Sequence, residues 1–215
     1  MTLNTAPGTR YRKIVSIRQF WKYLKTKAHL LDNNITEELE TPKLPKRSAR
    51  VLTLEESVRL LIQAKSCSAR DDCIITIFLN CALRLSELAS LNIEQVESDI
   101  ISIIGKGNKE RKIFLTPAAK HSLSKWLAIR STLQIDNNAL FISRNKGRLT
   151  TRSIQNVVKK HIVAAGINPK GLSTHKLRHT AATLMYKYGH VDIRSLQQIL
   201  GHESIATAEI YTSCG

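Results

Sequence analysis

The chain has 215 residues, with 33 Lys and Arg against 17 Asp and Glu, a formal charge of +16 and a pI near 10.0, so a polyanion, nucleic acid first, is the expected partner. Hydrophobic residues at 42% with only 9 Gly and 5 Pro exclude a disordered or fibrous chain and favour a helix-rich folded protein, one large domain with a small appendage. No apolar run reaches the roughly 20 residues that span a bilayer and no signal core follows Met1, so a cytoplasmic protein with no membrane partner is expected.

From Arg10 to Leu31 the residues Ile14, Ile17, Trp21 and Leu24, with Phe20, recur at helical spacing, while Arg12, Lys13, Lys22 and Lys25 take other faces. A short second helix is expected through Ile35 to Leu39, followed by a basic, Pro-containing linker over 42–50. Residues 1–41 hold too little to build a core of their own. Thr53 and Glu56 stand in capping-box positions ahead of Val58, Leu61 and Ile62. Asp71 to Cys81 contains IITIFL, apolar all round, which predicts a helix buried on every side. Ser86 is then placed to cap a helix carrying Leu88 and Leu91, which leaves Arg84 in the turn between two helices.

DIISII and RKIFL, separated by GKGNKE, predict a β-hairpin with Lys106 in its Gly-rich loop. Thr116 and Pro117 begin a helix through Trp126, ALFIS suggests a third short strand, and Ile154 to Ala165 is helical up to Gly166. Three more helices follow: Ser173 or Thr174 to Tyr188, Asp192 to Leu200 ending at Gly201, and Ser204 through Tyr211. The sum is a mainly α fold with a small antiparallel β-sheet, class α+β. Cys67, Cys73, Cys81 and Cys214 make no CxxC pair, so small buried hydrophobes are expected rather than a disulfide frame or a zinc site.

Between Asn137 and Val191 there is no Asp or Glu, while ten Lys and Arg fall in that stretch, Arg144, Lys146, Arg152 and Lys176 among them. A surface kept only for solubility mixes both signs, so these four, with Lys109 and Arg111 of the hairpin, are candidates to meet DNA phosphates. In STHKLRHTAATLMYKYG an apolar stripe of Leu177, Ala181, Leu184, Met185 and Tyr188 leaves His175, Arg178 and His179 on another face. HExxH zinc chemistry is excluded, because Lys176 follows the first His where a Glu is required. An Arg in a turn, a Lys in a hairpin, a His-x-x-Arg pair and a later His and Tyr have one obvious common substrate, a phosphodiester. Arginines fork onto its non-bridging oxygens, a lysine protonates the departing oxygen, and a tyrosine attacks phosphorus.

CALRLSELASL, IIGKGNKERKIFL, STHKLRHTAATLMYKYG and LGHESIATAEIYT, in that order and spacing, resemble the signature segments of the tyrosine recombinases, nearest the Xer-type branch of integrases. The resemblance runs from about Val51 to the end and implies a tyrosine recombinase catalytic domain over 51–215. It implies further that Arg84 and Arg178 clamp the phosphate, Lys106 is the general acid, His175 assists proton transfer, His202 contacts the phosphate and Tyr211 is the nucleophile. Glu87 matches a supporting acidic position. Residues 1–41 resemble the last part of a helical core-binding domain, the other half of a clamp on double-stranded DNA. The activity implied is site-specific DNA cleavage and rejoining through a 3′-phosphotyrosyl link, with no metal or other cofactor and with self-association into a tetramer on DNA. A DNA-binding module without recombination and a type IB topoisomerase are the rival readings.

Overall fold

The computed structural model describes residues 5–42, 50–97, 99–104 and 110–201. The expectations placed on the linker stretch 43–49, on the hairpin loop 105–109, on the last helix from Ser204 through Tyr211 and on Cys214 lie outside these residues. The chain divides into two units, Met1–Ser48 and Ala49–Gly215.

In the first unit, helix α1 spans Pro7–Thr26, with Pro7 in the first turn, where its missing N–H costs nothing. It starts earlier than Arg10 and ends five residues before Leu31; beyond it His29 turns the chain at φ 51°. The second helix expected at Ile35 to Leu39 is a turn instead. Arg18 reaches from α1 to the carbonyls of Thr36 and Leu39, acceptors that a continuing helix would use, and the Asn34 carboxamide accepts from the Thr36 N–H at 3.2 Å and its hydroxyl at 2.6 Å.

In the second unit, α2 (Leu54–Lys65) opens on the capping box: Thr53 Oγ1 accepts from the Glu56 N–H at 3.1 Å, and Glu56 Oε2 accepts from the Thr53 N–H at 3.0 Å. Helix α3 (Ala69–Cys81) follows from a Ser68 cap, and Cys73, Ile74, Ile75, Ile77 and Phe78 are wholly buried in it. Helices α2, α5 (Pro117–Ser131), α6 (Thr151–Ala164) and α7 (Thr174–Tyr188) pack around it. Each large side chain so buried stabilises the fold by roughly 1.5–3 kcal/mol before entropy is counted. Inside this apolar packing His161 of α6 meets Asp71 of α3 at 3.1 Å. Burial alone would raise the Asp71 carboxyl, but hydrogen bonds from His161 and Arg70 hold it below the usual range.

Helix α3 ends at Ala82, a non-glycine residue in the left-handed region at φ 48°, and Arg84 follows as the N-cap of α4 (Leu85–Ser90). Ser86, the expected cap, lies inside that helix; Glu87 closes the end by accepting from the Arg84 N–H at 2.7 Å. Strands β1 (Ile100–Ile104) and β2 (Glu110–Phe114) form an antiparallel pair in which Ile101 faces Ile113 and Ile103 faces Arg111. ALFIS is not a third strand of this sheet but makes isolated bridges. Side chains satisfy three of its carbonyls, Arg130 on Ala139, Trp126 on Leu140 and Arg70 on Ile142, while the Leu149 N–H donates to that of Phe141.

Helix α5 runs past Trp126 to Ser131, and α8 (Ile193–Leu200) begins at an Asp192 cap and stops at Gly201. A second, small core of Ala82, Ala181, Ala182, Leu196 and Leu200 holds α8 against α7. The α7 stripe is narrower than expected, because Tyr188 is exposed while Arg178 is buried. Cys73 and Cys81 are buried, and burial pushes the Cys81 thiol up to about 12; Cys67 is exposed, against expectation.

Candidate active site

Three elements, α4, β2 and α7, converge on one carboxylate. Glu87, in the first turn of α4, is buried, and it accepts from Arg84 Nη1 at 2.8 Å, from Arg111 Nη1 at 3.0 Å and from Arg111 Nη2 at 2.8 Å. Arg178 Nη1, from α7, stands 3.8 Å from its Oε2. Burial would raise this carboxyl, but the bonds from Arg111, the Arg84 N–H and the Arg84 side chain bring it down to about 2. Among the described residues three guanidinium groups surround this one carboxylate, and the Arg84 side chain is 41% exposed. Guanidinium groups gathered in this way can fork onto the oxygens of an anion.

The same arginines hold the end of α8. Arg111 Nε donates to the Ile199 carbonyl at 3.1 Å, Arg178 Nη2 to that of Leu200 at 2.6 Å and Arg84 Nη2 to that of Gly201 at 3.1 Å. Three successive carbonyls at the negative pole of a helix each receive a cation. Arg178 also donates from Nη1 to the Ala82 carbonyl at 2.7 Å, which holds the left-handed residue two positions before Arg84. The chain goes on from Gly201 to His202 in sequence.

One turn before Arg178 on α7, His175 is exposed, and its Nε2 lies 3.0 Å from Nε2 of His179, the rings edge to face. Partial desolvation at the helix surface, then Lys176 and Arg178, hold the His175 imidazole below the ordinary histidine value, which favours its neutral form at pH 7. The structure therefore brings Arg84, Glu87 and Arg178 together, with His175 on the same helix as Arg178. Lys106, Lys109, His202 and Tyr211 lie outside the described residues. No group of three or more His, Cys, Asp or Glu among the described residues is arranged to hold a metal.

Of the residues expected to meet phosphates, Arg144, Lys146 and Arg152 are exposed and Lys176 is half-buried. Arg152 lines a groove with Asn156, Lys159 and Ser173 beside the start of α7. Arg111 points inward, onto Glu87 and α8. Its place on the core face was legible: it stands two residues before Ile113 in a strand, and alternate residues share a face. Arg148 binds the carbonyls of Ala89 and Leu91 at 3.2 and 3.0 Å, a structural use of a cation from the acid-free stretch.

Residues 50–214 match the phage integrase family. A tyrosine recombinase XerC of Caldanaerobacter subterraneus subsp. tengcongensis is 46% identical over 211 residues, which are 97% of this chain and 60% of that protein. One of Alcanivorax borkumensis is 35% identical over 213 residues, 95% of this chain and 68% of its own. Among solved structures, XerA recombinase superposes with a TM-score of 0.74 at 32% identity, over 98% of this chain and 73% of that one. XerH recombinase in a post-cleavage complex with a palindromic difH substrate reaches 0.78 over 97% and 64%, and at 24% identity shows the fold alone. No helix among the described residues is long and apolar enough to cross a membrane.

Proposed function

Because this chain belongs to the phage integrase family, with an arginine cluster of its own around Glu87, we propose that it cuts and rejoins double-stranded DNA at specific sites through a covalent 3′-phosphotyrosyl link. The observation that carries the reading is the arginine cluster, in which Arg84, Arg111 and Arg178 gather on Glu87 and Arg84 keeps a side chain that is 41% exposed. In this reading the Tyr211 oxygen attacks phosphorus while Arg84 and Arg178 hold the non-bridging oxygens, whose charge grows in the transition state. The bond to the 5′ oxygen breaks, Lys106 gives that oxygen a proton, and His175 takes the tyrosine proton. His202 completes the phosphate contacts. Rejoining reverses the steps with a 5′-hydroxyl as nucleophile. The phosphotyrosine keeps the energy of the broken phosphodiester, so the reaction as written needs neither metal nor nucleotide.

The same reading assigns Arg144, Lys146, Arg152, Lys176 and Lys109 to the DNA backbone, residues 1–41 to the second arm of a clamp and 51–215 to catalysis. It also includes self-association on DNA and a cytoplasmic location. A nicked duplex that loses its short 5′-hydroxyl fragment after cleavage tests the chemistry. The chain should accumulate a covalent adduct on a denaturing gel, unaffected by EDTA. Tyr211→Phe should form none, and Arg178→Ala should form it about 100-fold more slowly or worse. Adduct from Tyr211→Phe at the parent rate would remove Tyr211 from the mechanism.

A further inference from the structure

Arg111 is the member of the cluster with no part in the chemistry as written, yet all three of its guanidinium nitrogens are engaged within the protein. Its side chain is 14% exposed, against 41% for Arg84. Nη1 and Nη2 fork onto the two oxygens of Glu87 at 3.0 and 2.8 Å, and Nε donates to the Ile199 carbonyl at 3.1 Å. Each nitrogen has an acceptor, so a phosphate reaching Arg111 would have to displace a buried bidentate pair. The fork links three elements: β2, the start of α4 and the end of α8. A Cβ on Gly201 would stand 3.3 Å from Arg111 Nη1, so the helix terminator also leaves this guanidinium its room.

We infer that Arg111 is a positioning residue for strand cleavage, which fixes Glu87 beneath Arg84 and pins the end of α8 from which the chain continues to His202 and Tyr211. The inference rests on the phosphodiester reading above. Glu87 holds both the backbone and the side chain of Arg84, so whatever orients this carboxylate orients the clamp. Strand β2 begins at Glu110, in sequence soon after Lys106, so one anchor in this strand serves both the clamp and the helix end. A lysine cannot replace the fork, because one ammonium does not match two carboxylate oxygens and a carbonyl in a plane.

The test compares the parent chain with Arg111→Ala and Arg111→Lys. At saturating DNA, Arg111→Ala should form adduct about 100-fold more slowly, as expected for a misplaced reacting group, while its DNA affinity stays within about twofold of the parent. Guanidinium ion at millimolar concentration should restore part of the rate, and sodium at equal ionic strength should not. Arg111→Lys, which keeps the charge and guards against loss of the fold, should remain slow. A weaker affinity whose salt slope falls by about one, with the rate at saturation unchanged, would make Arg111 a phosphate contact and overturn the inference. Two readouts need no DNA: in Arg111→Ala the Glu87 carboxyl resonance should titrate well above its parent value, and the amides of α8 should exchange faster. A parent chain that forms no adduct would sink the phosphodiester reading. The carboxyl and exchange measurements would still decide the lock, and no change in either would overturn it.

Discussion

Glu87 is a carboxylate whose ionisation is tied to the fold. Its pKa in the folded chain is about 2 against an ordinary 4.5, so its stabilisation is fully present above about pH 4.5 and is lost as pH falls through about 2. At 1.36 kcal/mol per unit the difference is about 3 kcal/mol. Urea unfolding at pH 7 should therefore show Glu87→Gln less stable by about 3 kcal/mol, with the deficit shrinking between pH 4.5 and 2. An equal deficit at all pH values would mean that lost packing, not charge, carries the effect. The residue types and spacing of Arg84, Glu87, His175 and Arg178 were legible because the four signature segments stand in order. By charge Arg111 reads as a surface cation, and only its strand register, two residues before the buried Ile113, places it on the core face.

Among the elements, those whose apolar pattern and caps agree were readable: α3 from its all-round apolar run, α2 from Thr53 and Glu56, and α8 from Asp192 and Gly201. Where a distant side chain decides the backbone, the pattern failed. ALFIS looks like a strand, but three of its carbonyls belong to Arg130, Trp126 and Arg70; Ile35 to Leu39 looks helical, but Arg18 takes the carbonyls of Thr36 and Leu39. Tertiary donors of this kind are invisible to a local window. The end of α8 offers the sharpest test at this scale. Gly201 has φ +59°, where any Cβ is strained by about 1 kcal/mol, and a Cβ there would also crowd Arg111. Gly201→Ala should lose about 1 kcal/mol in urea unfolding and slow adduct formation as well. A stability loss with the full parent rate would show that the helix end tolerates displacement.

Across the whole molecule, the charge of +16 is divided between two uses. The buried Arg130 and Arg178 are spent on carbonyls of the protein itself, and so is the exposed Arg148, whereas Arg144, Arg152, Lys159 and Lys160 face solvent. The exposed set should set the ionic-strength dependence: with about six phosphate contacts, affinity should fall about a thousandfold between 50 and 200 mM salt, and Arg152→Ala should lower the log-log slope by about one. A slope near zero would show that these cations do not meet DNA. The division of the apolar interior has a different outcome. The main core and the small cluster under α8 need not melt together, because Leu196 and Leu200 of α8 rest on three buried alanines with partly buried Met185, Tyr186 and Val191, while α3 is enclosed by four helices. Within the second unit, α8 is then expected to leave before the main core on warming, and to take with it the carbonyls that align three arginines. Activity should therefore be lost at a temperature where circular dichroism still reports the helices of the main core, and should return on cooling without refolding of that core.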